Sequence, residues 1–413
     1  MEDMRENEQF VALRSSNHRR RWVVICALLL GIAVTVVTRN AIANSSINRS
    51  EYLSVNGARL YIQTRGANPA APILLWLHGG PGGAERPLFR YFNGQLEKHF
   101  LVAYWDQQGA DRSFDAKSNP QDVTVAQHIT DLDQVVDHLR RTFGQDKIVL
   151  MGHSWGAALG LLYTQAHADK VSALVLVNPL ISMRQTQRAE YDFVQAEATR
   201  RHDETALAQL GKIGTPPYMT SKQALAMEKV VQRYGGIFHT QPNRMWVVFR
   251  ATVAGLVRPW EIARFIRGNN VSLEAMHQEL LNLNLTHSVL NLDVPVVMFL
   301  GRYDRHTDSR LSAAYFDSLR ATQKKVIWFE ESAHNVPFEQ PGLFNTTVVR
   351  ELEAIGILVS DRVSTEARSM AEVRSSVGPS PCSRDMPDRT SSPDTALHVE
   401  RRRGRCPREQ QVA

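Results

Sequence analysis

The sequence predicts an α/β fold in which a mostly parallel sheet is flanked by helices. Short apolar runs rich in Val, Ile and Leu recur along the chain, and such runs are typical of buried parallel strands. They lie at residues 73–77, 147–151, 173–177, 294–300 and 325–329. The chain has 413 residues, of which 43% are hydrophobic, so it can bury a sizeable core. One large domain with shorter flanking segments is therefore expected.

The most informative motif follows the second of these runs. The strand breaks at Gly152, and the chain continues as an apolar, helix-like segment over 157–163. The turn between them has the pattern G-x-S-x-G, which in a strand–turn–helix context is typical of a nucleophile elbow. Gly152 and Gly156 are required there because a Cβ at either position would collide with neighbouring backbone. The sequence therefore predicts that Ser154 is a nucleophile.

A serine nucleophile requires a base and a group that orients the base. The run 325–329 leads into a loop that contains His334, and the run 294–300 ends in a loop that contains Asp304. Both loops follow the carboxyl ends of strands, the edge at which active sites of parallel sheets collect. We therefore expect His334 to take the proton of Ser154 and Asp304 to hold the imidazole in the required tautomer.

Three other residues could compete for these roles. Asp308 is expected instead to cap a helix that begins near Ser309, and Asp293 precedes its strand and so lies at the wrong end of the sheet. His153 is adjacent to Ser154 on a strained turn, so its ring is expected to point away from the serine. His334 itself has the alternative interpretation of a solvated loop histidine.

Backbone amides are expected to stabilise the oxyanion that forms during attack. One donor is the amide of Trp155, the residue after the nucleophile. The other is expected in the glycine-rich loop 78–83, where glycines let the backbone approach a substrate carbonyl and Pro81 stiffens the turn. Gly80 is the predicted donor, although the loop could also be only a flexible turn.

Five motifs together resemble the proline iminopeptidase-like branch of the α/β-hydrolase superfamily. They are His78-Gly-Gly-Pro-Gly-Gly83, Trp105-Asp-Gln-Gln-Gly109, Gly152-His-Ser-Trp-Gly156, Gly301-Arg-Tyr-Asp304 and Ser332-Ala-His334. The resemblance covers about residues 50–356. It implies the α/β-hydrolase fold with a helical cap, and an aminopeptidase or related hydrolase that acts on a small molecule or short peptide without a cofactor. Members are monomers or homo-oligomers, which leaves the oligomeric state open.

The chain departs from the pattern of this branch after the tryptophan–aspartate pair. The branch usually has W-D-Q-R-G followed by a glycine-rich segment, whereas this chain has Gln108 in place of the arginine. Asp111 and Arg112 follow where the glycine-rich segment is expected. If the arginine of the branch helps to hold the active site together, Arg112 would have to replace it.

The resemblance also implies a cap, and residues 181–292 are predicted to form it between two parts of the hydrolase core, 50–180 and 293–357. This insertion lacks a clear strand, and helical patterns dominate it at 188–210, 221–234 and 260–267. Such an insertion covers the active site in many hydrolases of this fold. Its aromatic and methionine residues favour an apolar pocket, although most of them are expected to be core.

Three glutamates of the predicted cap are candidate substrate-binding residues. Glu190, Glu197 and Glu204 recur every seven residues, which would keep them on one helical face. Aminopeptidases of the resembled branch use cap glutamates to hold the free amine of the substrate. The alternative is a solvated helix face, because basic residues lie within a turn of these glutamates.

Composition excludes several other classes of protein. The net charge of +6 is spread thinly along the chain, and there is no basic stripe with interleaved aromatic residues, so a nucleic-acid interface is not expected. The three cysteines all lie outside the catalytic region, so no disulfide framework is expected. No metal-binding or phosphate-loop motif is present, and we predict neither a metal nor a nucleotide cofactor.

Both ends of the chain are predicted to be separate from the hydrolase core. Residues 1–21 form a basic N-terminus, and 22–38 form a run of 17 residues without a charge. This run is expected to be an uncleaved signal-anchor, or alternatively a signal peptide that is cleaved near Ala43 before secretion. Either outcome puts the catalytic domain on the non-cytoplasmic side of the membrane. Residues 361–413 are rich in Ser, Arg and Pro, and a disordered tail is expected there.

Together these patterns predict a serine hydrolase that works through an acyl-enzyme, with an aminopeptidase of proline iminopeptidase type as the specific hypothesis. A carboxylesterase or lipase is the first alternative, because it would use the same triad without an amine-binding carboxylate. A ligand-binding receptor with negligible turnover is the second. The sequence does not name the substrate, because cap side chains select it.

Overall fold

The computed structural model describes residues 47–239 and 244–358. The predicted membrane segment 22–38 and the predicted tail 361–413 lie outside the described residues. Within the described ranges, none of the helices is both long enough and apolar enough to cross a membrane.

In the part of the chain that the structure describes, ten strands form one large sheet and one small one. The strands are β1 (Ile47–Val55), β2 (Ala58–Gly66), β3 (Ile73–Leu77), β4 (Leu101–Asp106), β5 (Ile148–His153), β6 (Val171–Val177), β7 (Asn291–Leu292), β8 (Val296–Gly301), β9 (Arg320–Ala321) and β10 (Lys324–Phe329). The large sheet has eight strands in the order β1-β2-β4-β3-β5-β6-β8-β10, and β7 pairs with β9 separately. The strands from β4 to β10 in this order are parallel, whereas β1, β2 and β4 are joined by antiparallel pairings. The predicted fold class is confirmed.

Twelve helices accompany the strands in the described ranges. They are α1 (Arg86–Asn93), α2 (Val125–Phe143), α3 (Trp155–Ala166), α4 (Met183–Arg200), α5 (Glu204–Ile213), α6 (Ser221–Arg233), α7 (Arg244–Val253), α8 (Pro259–Asn282), α9 (Leu285–Ser288), α10 (Ser309–Ser318), α11 (Val336–Glu339) and α12 (Pro341–Ala354). Helices α4 to α9 occupy the segment between β6 and β8, in the region predicted to be a cap.

The expectation that the three cap glutamates share one helical face is wrong, because the structure divides the helical segment 188–210 between α4 and α5. His202, between the two helices, has a φ of 53°. The side chain of Asp203 then accepts a hydrogen bond from the amide of Ala206, which caps the start of α5. As a result, Glu197 and Glu204 lie on different helices, and the three cap glutamates do not share one helical face.

Both faces of the large sheet are buried at its central strands. Along β3, Ile73, Leu75 and Leu77 belong to one hydrophobic cluster, and the intervening Leu74 and Trp76 belong to the other. All five side chains are at most 1% exposed. Alternate side chains of a strand point to opposite faces, so helices must cover the sheet on both sides. This arrangement explains why the central strands are continuous apolar runs rather than alternating ones.

The turn after β5 is packed too tightly for side chains at its two glycines. A Cβ on Gly156 would overlap the main-chain oxygen of Leu77, and a Cβ on Gly152 would overlap that of Gly156. One turn further into α3, a Cβ on Gly160 would lie 3.0 Å from a methyl group of Leu174. The helix therefore lies close against the sheet, as the G-x-S-x-G pattern predicts, and its N-terminus is fixed at the carboxyl edge of the strands.

Candidate active site

Ser154 lies at the point where β5 meets α3. Its φ and ψ are 55° and −117°, a left-handed φ that is strained for a residue with a side chain. The amide of Ser154 donates to the main-chain oxygen of Val177 at 2.9 Å, which ties the turn to the end of β6. The side chain lines a cavity of about 140 Å³ at the carboxyl edge of the sheet. The fold thus presents the serine hydroxyl to a pocket.

His334 and Asp304 are brought together beside the same pocket. The Nδ1 atom of His334 lies 3.0 Å from Oδ2 of Asp304, and both side chains are buried. The imidazole also lines the pocket that contains Ser154. Asp304 accepts further hydrogen bonds from the amides of His306 and Thr307 and from the Thr307 hydroxyl, at 2.8, 3.1 and 2.8 Å. The carboxylate is therefore fixed in position and can orient the histidine.

The protonation states in this group follow from burial and charge. Burial opposes ionisation of Asp304, but the neighbouring His334 and His306 hold the pKa of its carboxyl below the ordinary value. Burial lowers the pKa of His334 to about 4, with Asp304 opposing this shift and the charges of His153 and His306 adding to it. His334 is thus a neutral imidazole at neutral pH, with a ring nitrogen available to accept a proton.

The two rival aspartates are placed as the sequence predicted. Asp308 caps α10, since its side chain accepts from the amide of Arg310 at 3.0 Å and also pairs with the Arg310 guanidinium. Asp293 is exposed and precedes β8, at the end of the strand remote from the pocket. Neither carboxylate contacts His334.

The ring of His153 lies within the site, beside the ring of His334. The two ring centroids are 4.7 Å apart, and His153 also lines the pocket. Its Nε2 donates to the main-chain oxygen of His334 at 2.9 Å, and its Nδ1 donates to Oε1 of Glu85 at 2.7 Å. Burial opposes the charge on His153, but Glu85 raises its pKa above the ordinary value. Both ring nitrogens are committed as donors, so His153 cannot also act as the base.

The glycine-rich loop after β3 lies next to the nucleophile, and Gly80 lines the pocket. The amide of Gly79 donates to Glu85 at 3.2 Å, and the amide of Gly83 donates to the oxygen of Gly79 at 3.1 Å. These bonds fold the loop into a tight turn, with a φ of 116° at Gly80. Such a φ is accessible to glycine but not to residues with a Cβ.

Trp155 is the first residue of α3, so its amide has no acceptor one turn earlier within the helix. Its indole nitrogen donates to Oε1 of Gln107 at 3.0 Å, and Nε2 of Gln107 donates to the main-chain oxygen of His78 at 2.9 Å. Gln107 therefore connects the residue after the nucleophile to the start of the glycine-rich loop. This connection holds the two predicted oxyanion donors, Gly80 and Trp155, on neighbouring segments.

Arg86, rather than Arg112, pairs with Asp106 in the altered loop. The Nε of Arg86 lies 3.0 Å from Asp106, and its NH2 lies 2.8 Å from Asp111. The guanidinium of Arg112 instead pairs with Glu261 at 3.2 Å and is partly exposed. The buried arginine that pairs with Asp106 thus comes from α1, and the guanidinium of Arg112 pairs elsewhere.

Of the three candidate glutamates, only Glu190 lines the pocket. It is 4% exposed, and its Oε1 lies 2.8 Å from Nδ1 of His306. Glu197 pairs with Arg200 and Arg201 on the outer face of α4, at 2.6 and 2.9 Å. Glu204 is exposed at the start of α5. The solvated-face alternative thus describes Glu197 and Glu204, whereas Glu190 faces inward.

Sequence reasoning missed four titratable side chains in the pocket, Glu85, Glu228, His277 and His306. Glu85 follows the glycine-rich loop by two residues, and His306 follows Asp304 by two, so both lay on loops already assigned to the site. Glu228 lies on α6, where the helical pattern gives no sign of which face it occupies. Asn178, also missed, lies directly after β6 and donates to the main-chain oxygens of Ala333 and His334, at 3.0 and 2.7 Å.

Among the described residues there is no group of three or more His, Cys, Asp or Glu side chains that could hold a metal ion.

The family of the chain follows from comparison with known proteins. A family model described as alpha/beta hydrolase fold matches residues 72–341. The chain belongs to this family. The match spans all of the strands and loops that carry the predicted triad, which agrees with the resemblance stated from the motifs.

Individual relatives support the predicted resemblance to the proline iminopeptidase-like branch. A protein named probable aminopeptidase from Bacillus subtilis (strain 168) is 28% identical over 74% of this chain and 96% of its own length. A proline iminopeptidase from Saccharolobus solfataricus is 23% identical over 71% of this chain and 89% of its own length. The crystal structure of proline iminopeptidase from Mycobacterium smegmatis has a TM-score of 0.56 and 19% identity, and covers 74% of this chain and 98% of that one. The chain is a hydrolase.

Proposed function

We propose that this hydrolase is a serine aminopeptidase of proline iminopeptidase type, in which Ser154, His334 and Asp304 form the catalytic triad. The observation that carries the proposal is the buried Asp304–His334 pair facing the pocket into which the strained Ser154 turn opens. A hydroxyl, a neutral imidazole and an orienting carboxylate are the groups required for acyl transfer through a covalent intermediate.

In this mechanism Ser154 attacks the carbonyl carbon of the substrate while His334 takes the hydroxyl proton. Asp304 accepts a hydrogen bond from Nδ1 of His334 and stabilises the imidazolium that forms. The amides of Gly80 and Trp155 donate to the oxyanion, and His334 then protonates the leaving nitrogen. Water attacks the acyl-enzyme in the second half of the reaction, with His334 acting again as the base.

Recognition of a free amine is supported by the acidic side chains at the buried part of the pocket. An ammonium group that loses water without gaining a partner costs several kcal/mol, so an aminopeptidase needs carboxylates there. Glu190 and Glu228 both line the pocket. The charges of both act to raise the pKa of His306, which places the two carboxylates close to the same imidazole.

The pairing of Glu190 with His306 affects how an amine would be held. Burial acts to lower the pKa of His306, but the hydrogen bond and charge of Glu190 raise it to about 9. Burial in turn raises the pKa of Glu190. The pair has no net charge whether the proton is on the imidazole or on the carboxylate. We therefore propose that Glu228 acts together with Glu190 in holding the amine.

The proposal is tested first with a fluorophosphonate probe on the full-length protein. The parent should be labelled and the Ser154→Ala variant should not, because only the activated serine reacts with the probe. Turnover by this variant should fall by several orders of magnitude. Undiminished labelling of the variant would show that another residue is the nucleophile.

The substrate class is tested with proline naphthylamide, which has a free amine, and p-nitrophenyl acetate, a neutral ester. Glu190→Gln and Glu228→Gln should each raise KM for the amine substrate by about tenfold, equivalent to about 1.4 kcal/mol. Neither should change KM for the ester much, and Glu197→Gln on the outer face of α4 is the matched control. A parent that prefers esters or N-blocked substrates would favour the esterase alternative.

We also propose that residues 22–38 anchor the protein in a membrane, with the hydrolase on the non-cytoplasmic side. The proposal is supported by the sequence alone, through a run of 17 uncharged residues that follows three arginines. Cleavage near Ala43 and secretion is the alternative.

A further inference from the structure

A second, apolar groove lies next to the pocket that contains Ser154. It has a volume of about 420 Å³ and lies between helices α1, α6, α7 and α8. Most of its lining is aliphatic or aromatic and includes Val248, Val257, Ile262 and Phe265. Ile266, which also lines it, is 52% exposed, so the groove opens to solvent. Exposed apolar surfaces of this kind are typical of binding sites.

The groove and the pocket share a wall. Leu88, Leu225, Glu228, Phe265 and Asn269 line both of them. These side chains are thus the layer between the groove and the pocket that contains Ser154. Because the two cavities lie side by side, the adjacency supports an occupant of the groove that belongs to the substrate rather than to a separate partner.

The charged side chains at one end of the groove already have partners. Asp111 accepts from Arg86 and Arg264, in each case at 2.8 Å, and Glu261 accepts from Arg112 at 3.2 Å. Their charges are neutralised within the protein, so a charged ligand would gain little there. Glu228 and Lys229, neighbours on α6, add one charge of each sign to the lining. The aliphatic and aromatic majority of the lining fits an uncharged, apolar group.

We propose that this groove is the subsite for the leaving part of the substrate, and that it takes an apolar peptide segment directly after the N-terminal residue. The inference rests on the proposed aminopeptidase activity. Glu190 and His306 line the pocket but not the groove, and Glu190 is nearly inaccessible to solvent. The free amine is the end of a peptide and fits that closed part, whereas the leaving part continues and needs a path to solvent. The groove supplies this path.

The test compares three substrates of the full-length protein that share an N-terminal alanine. Alanine amide has a leaving group too small to reach the groove, Ala-Gly-Gly reaches it without apolar side chains, and Ala-Leu-Leu fills it. The parent should cleave Ala-Leu-Leu with a kcat/KM about tenfold higher than Ala-Gly-Gly. Equal values for the two tripeptides would overturn the inference while leaving the aminopeptidase intact. If the parent cleaves none of the three, the same comparison is made with an N-terminal proline, and failure to cleave that series too would instead contradict the proposed function.

Variants then locate the effect in the groove. Ile262→Lys should lower kcat/KM for Ala-Leu-Leu about tenfold, because a lysine ammonium group in the groove disfavours binding of the leucine side chains. The kcat/KM for alanine amide, which does not reach the groove, should be unchanged. Leu343→Lys, on α12 and 48% exposed, introduces the same charge elsewhere and should change neither value. If Ile262→Lys does not fold, Val257→Ser provides a milder change with the same expected direction. Loss of activity that is equal for all three substrates would count against a leaving-group subsite.

Discussion

Replacing His306 with asparagine should move the acidic limb of the pH–rate profile to higher pH. The rings of His306 and His334 lie 4.7 Å apart between centroids, and the pKa of His306 is raised to about 9, so an imidazolium faces the proposed base at neutral pH. A like charge disfavours protonation of His334 and lowers its pKa. Removing that charge must therefore raise the pKa. The variant also leaves Glu190 without its partner. An ionised Glu190 would raise the pKa of His334 further, and a protonated Glu190 would leave it unchanged.

The size of the shift follows from the distance between the rings. Two unit charges separated by 4.7 Å interact with about 3.5 kcal/mol at an effective dielectric constant of about 20. This energy corresponds to roughly 2.5 pKa units and is an upper limit. Burial is the largest cause of the lowered pKa of His334 and the charge of His306 is the smallest, so we expect a rise of about 1 unit or less. The pKa of His334 in the parent is about 4, so the limb should rise toward the ordinary histidine value.

The measurement is kcat/KM for p-nitrophenyl acetate as a function of pH, because this ratio reports the ionisation of the free enzyme and the ester itself carries no charge. The matched control is His287→Asn, which makes the same change at an exposed histidine outside the pocket. The control profile should coincide with that of the parent. A limb that stays in place or moves to lower pH in His306→Asn would refute the electrostatic reasoning.

Three further predictions concern the acid, the turn and the membrane segment. Asp304→Asn should lower kcat by about 10⁴-fold, because the amide favours the wrong imidazole tautomer. Asp308→Asn keeps a capping side chain, so its kcat should stay near that of the parent. If Asp308→Asn were the more damaging variant, the acid would be wrongly assigned. Gly156→Ala should destabilise the fold by about 1–3 kcal/mol or more in denaturant unfolding, since its Cβ would overlap Leu77. Gly211→Ala, in open space on α5, should instead stabilise it by about 0.5–1 kcal/mol, and equal effects would refute the packing argument. If residues 22–38 form an anchor, the full-length protein should remain with membranes after a carbonate wash, and recovery of a shortened protein in the soluble fraction would indicate cleavage instead.

Local sequence patterns predicted the features that depend on neighbouring residues. The run 73–77 coincides with β3, and Asp308 caps the helix that begins at Ser309. The G-x-S-x-G turn could be predicted because close packing leaves no space for a Cβ at its two glycines. The strands β1, β2 and β4 were not predicted. β1 and β2 are partly polar and pair in an antiparallel way, which leaves no pattern as strong as a buried parallel run, whereas β4 is a short buried run and has the pattern that would have identified it.

Tertiary structure decided which of the remaining polar side chains enter the pocket. Glu190 and Glu197 are seven residues apart on one helix, yet Glu190 pairs with His306 inside the pocket and Glu197 pairs with arginines outside. A seven-residue spacing corresponds to nearly two turns, but the axis and rotation of α4 over the sheet determine which residue is covered. Likewise, Asp106 pairs with Arg86 from α1 rather than with the nearby Arg112. Spacing along the chain determines turns and caps, whereas contacts between distant segments depend on how the helices pack above the strand ends.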